Sequence, residues 1–499
     1  MSRFLSRLIA VCCFVVAVAV APSAFAQINA ATASRDQVPR RWWESASGIV
    51  RVTINPGGHG VPFPIDPVKA APILDDYKAR GISAIEIFAP YHGGRSFGGL
   101  DAIDRFNINP EVGTMEDFRA LVRLIHSKGM AVISFDNLGY CSSEAREFLK
   151  AADDVRAGRD TAEARRFLWA DRADAPPPAP DNDKFFMVRP RHLPDYDPVN
   201  AEFWEYNERA GKYFWTKWQG PNLSGKVVRL PQYNWRSEEF QQYAEREVRF
   251  WMDTGLDGMI VDAVNWYVGH TWEQDRHRIA DVVRSYGNAY TQPEGGGAFY
   301  EDPLGWIQEG GWTSVQEYDL FVFWEKKDVI NTAVDTGDPR PIEPALRDYH
   351  DPVVAAGGVL YFFFPEIPQS PKGRLAQAMI ASVGDLLAFG PTTGPPQKGW
   401  VPLLKMKAAH PAFQNTSTRR HIPTSADDKY YAFLRTAGDG SERVLAVMNF
   451  QSIPQTVQVD MSGVSGEALE DLTTGESVPR RNPLPVALPA YGYRFYVVK

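Results

Sequence analysis

Cysteine is scarce in this chain: three in 499 residues, of which Cys12 and Cys13 lie in an N-terminal apolar stretch, leaving Cys141 alone. A single thiol closes no intramolecular disulfide, so stability has to come from a packed core. No long basic run occurs and the formal net charge is −8 at pH 7, which speaks against nucleic acid or an anionic membrane surface as partner. A glycine-rich phosphate loop with its lysine is missing, as is an EF-hand loop. The nine histidines show neither His-x-x-x-His nor Cys/His ligand spacing. No metal and no cofactor is therefore expected.

What remains is the composition of a water-soluble globular protein, 44% apolar and 23% charged. The 14 tryptophans fit a carbohydrate partner, because aromatic rings offer a flat apolar face with a polar edge, although large cores also hold many aromatics. Residues 1–26 read as a secretory signal peptide: Arg3 and Arg7, an apolar stretch over 8–20, then Ala24-Phe-Ala26 as a small-residue cleavage site. Cleavage after Ala26 implies a secreted or periplasmic protein with no membrane association once the signal is gone. Loss of the two arginines moves the formal charge from −8 to −10.

Residues 27–41 form a polar arm, and Trp42-Trp43 opens the folded part. Strand-like runs at 48–54, 81–88 and 130–135 alternate with helix-like runs at 66–80 and from Thr114, a cap followed by early acids, to about 129. This alternation predicts a parallel sheet with right-handed crossovers. Residues 136–235 break the rhythm with a proline-rich stretch and aromatic clusters, too long for a loop and better read as an inserted subdomain. The rhythm resumes with a helix over 237–254, a strand ending at Asp262, a helix over 277–287 and a short strand over 289–292. Runs near 313–323, 358–364 and 386–389 complete eight strands. Beyond about residue 407, short strand-like runs sit between Gly, Asp and Ser turns. The expected fold is α/β: a (β/α)8 TIM barrel over 42–135 and 236–406, an inserted subdomain over 136–235 after strand three, and a C-terminal antiparallel β-sandwich over 407–499.

Trp251-Met-Asp-Thr-Gly-Leu-Asp-Gly-Met-Ile-Val-Asp262 ends an apolar strand on an acid, poor for packing and well placed for chemistry. Glu294 ends the next strand. Neighbouring strands lie about 4.8 Å apart, close to the roughly 5 to 5.5 Å between the carboxyls of a retaining glycosidase. The competing reading is a capping aspartate and a solvated loop glutamate. Gly94-Arg-Ser-Phe-Gly98 matches the Gly-x-Ser-x-Gly nucleophile elbow, but residues 100–106 do not read as the helix that motif requires.

Several stretches resemble the α-amylase family of glycoside hydrolases, especially its oligo-1,6-glucosidase and trehalose-synthase-like branch. They are Gly99-Leu-Asp-Ala-Ile-Asp-Arg-Phe-Asn-Ile-Asn-Pro-Glu-Val-Gly-Thr-Met-Glu-Asp-Phe118, Phe203-Trp-Glu-Tyr-Asn-Glu-Arg-Ala-Gly-Lys-Tyr-Phe214, Leu230-Pro-Gln-Tyr-Asn-Trp-Arg-Ser-Glu-Glu239, residues 404–411 and the tail. The resemblance implies that Asp262 is the nucleophile and Glu294 the general acid/base. It also exposes departures. The family's Asp-x-x-x-Asn-His falls on Phe135-Asp-Asn-Leu-Gly-Tyr140, so Phe135, Gly139 and Tyr140 replace the Asp, Asn and His. The arginine two residues before the nucleophile is Ile260, and Asn-His-Asp falls on Phe364-Pro-Glu366, which makes Glu366 the candidate third carboxylate.

Two readings follow. In the first, the chain is a divergent retaining α-glycoside hydrolase or transglycosidase whose remodelled sugar site is lined by Asp101, Asp136, Asn137, Tyr140 and Glu366, with Trp266 and Tyr267 offering faces to a second sugar. In the second, it is a catalytically silent barrel serving as a carbohydrate-binding or scaffold module. Ile260 cannot make the charge-assisted contact that keeps a nucleophilic carboxylate ionised.

Overall fold

The computed structural model describes residues 38–176, 178, 203–264, 272–294, 303–316, 329–363, 367–384, 386–391 and 393–499. Eight parallel strands form one sheet: β1 (Gly48–Thr53), β2 (Ala84–Phe88), β3 (Ala131–Asp136), β4 (Gly258–Val261), β5 (Tyr290–Pro293), β6 (Ser314–Gln316), β7 (Val359–Phe363) and β8 (Leu386–Phe389). Their order is β5-β4-β3-β2-β1-β8-β7-β6. Between β5 and β6 the threonines close the ring: Thr313 N–H donates to the Thr291 carbonyl (3.2 Å), and Thr291 N–H to the Thr313 hydroxyl (2.7 Å). The result is a nearly closed (β/α)8 barrel, as the alternation predicts. The part of the expected sixth run beyond Gln316 lies outside the described residues.

The helices start where the sequence places caps. Asp66 accepts from Val68 N–H at the head of α1 (Pro67–Ala79), with proline in the first turn, where its missing donor is harmless. Thr114 and Asp117 form a reciprocal capping box on α2 (Met115–Ser127). Ser237 caps α3 (Glu238–Met252). The helix expected over 277–287 is displaced toward the N-terminus, as α4 (Trp272–Arg284).

Between β3 and α3, an antiparallel sheet of Trp169–Ala170, Phe203–Asn207, Lys212–Pro221 and Val227–Pro231 stands on the barrel rim. Its returning chain is stitched to the loop after β3: Cys141 N–H donates to the Pro231 carbonyl (3.1 Å), and Tyr233 N–H to the Gly139 carbonyl (2.9 Å). The C-terminal region has a six-stranded antiparallel sheet faced by a two-stranded antiparallel sheet of Gln455–Val459 and Leu484–Leu488. Strand periodicity divides its two faces. Ala432, Leu434, Leu445 and Val447 pack with Val457, Val459, Leu484 and Val486 in a small separate core. Their alternating neighbours Tyr431, Phe433, Ala446 and Met448 join the main core instead. The sandwich is thereby fastened to the barrel through one face.

Candidate active site

Parallel register sets the level of the two acids. Val261 on β4 pairs with Pro293 on β5 and with Asp136 on β3, so Asp262 and Glu294 each stand one residue beyond the last paired rung. Backbone bonds continue the ladder: Asp262 N–H donates to the Asp136 carbonyl (2.7 Å), and Glu294 N–H to the Val261 carbonyl (2.8 Å). Ala263 then turns into the left-handed region at φ 44°, a conformation that a side-chain-bearing residue holds only where its surroundings impose it. Its N–H donates to Glu294 Oε2 (3.1 Å).

The side chains of Asp262 and Glu294 come close enough to share a hydrogen bond. Asp262 is 8% exposed, while Glu294 is half-buried and reaches solvent. Burial, the Glu294 charge and that shared hydrogen bond push the Asp262 carboxyl well above its usual range; Arg51 opposes and Asp136 adds to the rise.

The remaining residues singled out from sequence divide into groups. Asp136, at the end of β3, is fully buried, and neither of its carboxylate oxygens has a well-formed hydrogen bond among the described residues. Burial raises it to about 7, opposed by Arg105 and more weakly by the Asn137 amide. Asp101 is buried under Gly94: Oδ1 accepts from Ser96 N–H (2.9 Å), whereas Oδ2 has no partner among the described residues. Burial lifts that carboxyl to about 8. Asn137 holds the loop together, donating to the Leu100 and Tyr140 carbonyls (2.9 and 3.0 Å) and accepting from Gly139 N–H (2.7 Å). The Tyr140 ring packs against Trp218 and Phe97. Trp266, Tyr267 and Glu366 lie outside the described residues. Ser96 is buried and donates to the Pro221 carbonyl (3.1 Å), a contact between loop and inserted sheet that does not resemble a nucleophile elbow.

Sequence reasoning missed a buried ionic group beneath the acids. Arg51 on β1 is ion-paired through Nε with Glu86 on β2, and Glu86 also accepts from the Tyr361 hydroxyl on β7. The Arg51 guanidinium lies 4.2 Å from the Phe135 ring centroid and 5.3 Å from that of Phe88. His59, after β1, sets its ring edge-on to Phe88 at 5.6 Å. Its imidazole is pushed below the usual value by partial burial and by Arg51, against the pull of Glu294. The one available signal was an arginine and a glutamate in two strands that otherwise read as apolar.

An eight-stranded parallel barrel with a carboxylate pair on adjacent strand ends is the arrangement of a glycoside-hydrolase barrel. The chain carries the catalytic domain of the α-amylase family: residues 74–294 match "Alpha amylase, catalytic domain", and residues 420–495 match "Maltogenic Amylase, C-terminal domain". An alpha-glucosidase of Schizosaccharomyces pombe is 25% identical over 259 residues, covering 52% of this chain and 40% of the relative. A trehalose synthase of a Pimelobacter species is 28% identical over 167 residues, covering 34% of this chain and 25% of the relative. The matched stretch therefore spans well under half the length of these curated relatives. In fold, Eubacterium rectale Amy13B superposes with a TM-score of 0.66 over 94% of this chain and 98% of its own, at 16% identity.

Proposed function

We propose that the chain is an exported retaining α-glycoside hydrolase or transglycosidase with an altered sugar subsite. The observation that carries this reading is the pair Asp262 and Glu294, held at one level by strand register and sharing a hydrogen bond at the rim. Asp262 attacks the anomeric carbon as a carboxylate once substrate parts it from Glu294, whose charge and hydrogen bond raise its carboxyl in the free protein. Glu294, open to solvent, gives its proton to the departing glycosidic oxygen. A covalent glycosyl ester on Asp262 results; Glu294 then takes a proton from water or a second sugar hydroxyl, which displaces the ester. Substrate entry separates the two carboxyls to the distance this chemistry needs.

The altered subsite is supported by what faces it. Phe135 and Ile260 are buried apolar residues where the family carries an acid and an arginine, whereas Asp136 brings an incompletely bonded carboxylate to the same end of the sheet. Asp136 and Asp101 are proposed to take sugar hydroxyls, with Glu366, Trp266 and Tyr267 completing the site. Export rests on residues 1–26, which lie outside the described residues.

A mechanism-based α-glycoside trap tests the reading. The expected result is covalent labelling at Asp262, abolished in Asp262→Asn together with turnover, a fall on the order of 1,000-fold or more. Sugar binding with no labelling and no turnover across a broad α-glycoside panel would assign the chain to silent carbohydrate-binding barrels instead.

A further inference from the structure

Ile260 removes the cation that the family places two residues before the nucleophile, and the barrel interior shows what has taken its place. In a parallel barrel, alternate residues of each strand face inward and paired residues share a face. Asp262 and Ile260 thus face the same way; Ile260 pairs with Phe135, and Phe135 with Phe88. Arg51 pairs with Glu86, two residues before Phe88 on the same face. The Arg51 side chain climbs from that lower layer, and its guanidinium lies against Phe135, in the layer directly beneath Asp262. Phe88 and Phe135 stack at 5.1 Å and make an apolar floor that keeps the guanidinium in place and water away.

We infer that Arg51 is a relocated positioning residue, a cation supplied from β1 instead of β4 that favours the ionised form of the proposed nucleophile Asp262. The inference builds on the proposed role of Asp262. An arginine at Ile260 would reach the carboxylate from its own strand. Arg51 acts from the layer below through a buried interior, where low dielectric lets a charge be felt without direct contact. Among the described residues, Glu294 acts on the acid from the same level, and Asp136 acts from the neighbouring position of β3, beside Val261. Glu294 and Asp136 both disfavour the Asp262 charge, and Arg51 is the favourable partner. Tyr91, buried beside the loop after β2, is also coupled to Asp262 and Asp136. Arg51 in turn is influenced by Glu86, Tyr361 and Glu294, all of which favour its charged state. Glu86, held in turn by the Tyr361 hydroxyl, is paired with the Arg51 Nε, while the guanidinium lies against the Phe135 ring.

The test reads Asp262 directly. Full-length protein labelled with 13C-carboxyl aspartate is titrated by NMR, and the Asp262 signal is identified by its absence in Asp262→Asn. In Arg51→Gln, which keeps a hydrogen bond for Glu86 and loses the charge, the Asp262 midpoint rises by about one pH unit or more. Arg51→Lys, with the charge kept, stays near the wild-type midpoint, and Glu86→Gln does not raise it. Water entering a loosened core would lower the midpoint in all three variants alike, so a rise confined to Arg51→Gln is not a packing effect. Should Arg51→Gln not fold, Arg51→Met/Glu86→Met replaces the pair by apolar chains and carries the same expectation. An unchanged or lowered midpoint in the charge-free variant overturns the inference. A raised midpoint in a protein that the glycoside trap never labels upholds the electrostatic role of Arg51 and defeats the glycosidase reading.

Discussion

Charge is buried both at the barrel rim and along the seam between the barrel and the C-terminal sheet, and these two regions differ in how fully it is matched. At the seam, fully buried Arg435 donates to three carbonyls: Ala412 (3.1 Å), Val383 (2.5 Å) and Gln414 (2.8 Å). Arg419 is held by Glu343 and Asp351, with the Tyr431 hydroxyl between them. At the rim, Asp136 lacks a well-formed hydrogen bond and Asp101 is half-bonded among the described residues, while Asp262 and Glu294 crowd each other. A buried polar group with all its bonds made holds a structure together; one kept without them is strained toward a ligand that would complete it.

The contrast predicts different failures on the two sides. The largest effect belongs to the rim: Glu294→Gln is expected to slow turnover by about 100- to 10,000-fold while melting as wild type does. Steady-state kinetics and a thermal scan on the same sample separate the two outcomes. The reverse is expected at the seam, where Arg435→Met strands three buried carbonyls and costs about 3 kcal/mol in a denaturant titration. Activity per folded molecule there stays within about twofold, a margin of roughly 0.4 kcal/mol.

A smaller effect tests the unmatched acid. Asp136 titrates at about 7 in the folded chain, against 3.8 as its ordinary value. The folded state therefore holds this proton more tightly, and the stability it contributes is full below about pH 4 and is lost as pH rises through about 7. Asp136→Asn removes that loss, so it should melt higher than wild type at pH 8, by about 2 kcal/mol in unfolding free energy, with the gap closing toward pH 4. A gap independent of pH would mean that Asp136 is already matched. Smallest of all, Ser96→Ala should leave turnover within about twofold, since its hydroxyl bonds the Pro221 carbonyl and is not expected to attack a substrate.

Much of the fold was legible because its signals are local. The cap Thr114 with Asp117, the cap Ser237 and the apolar run before Asp262 each specify an element through neighbours a few residues away. The C-terminal strands were readable for the same reason, although period-2 alternation could not tell which face would meet the barrel and which the small separate core. The start of α4 was misplaced because residues 273–276 are polar and give no apolar periodicity to mark the first turns.

The site was legible only in part. Asp262 and Glu294 could be paired because strand ends on adjacent strands are brought together by the hydrogen-bond ladder itself, a relation that follows from chain order. Arg51 could not be placed in that way. Whether an arginine in an apolar strand points into the barrel or out among the helices depends on register, and its partners Glu86, Phe135 and Tyr361 stand on three different strands. The barrel, the level of the two acids and the loss of the usual cation at Ile260 are all written in residues close in the chain or one strand apart. A cation beneath the acids emerges only on folding, because a barrel interior is assembled from residues far apart in the chain, and the electrostatics of its centre depends on their distance in space.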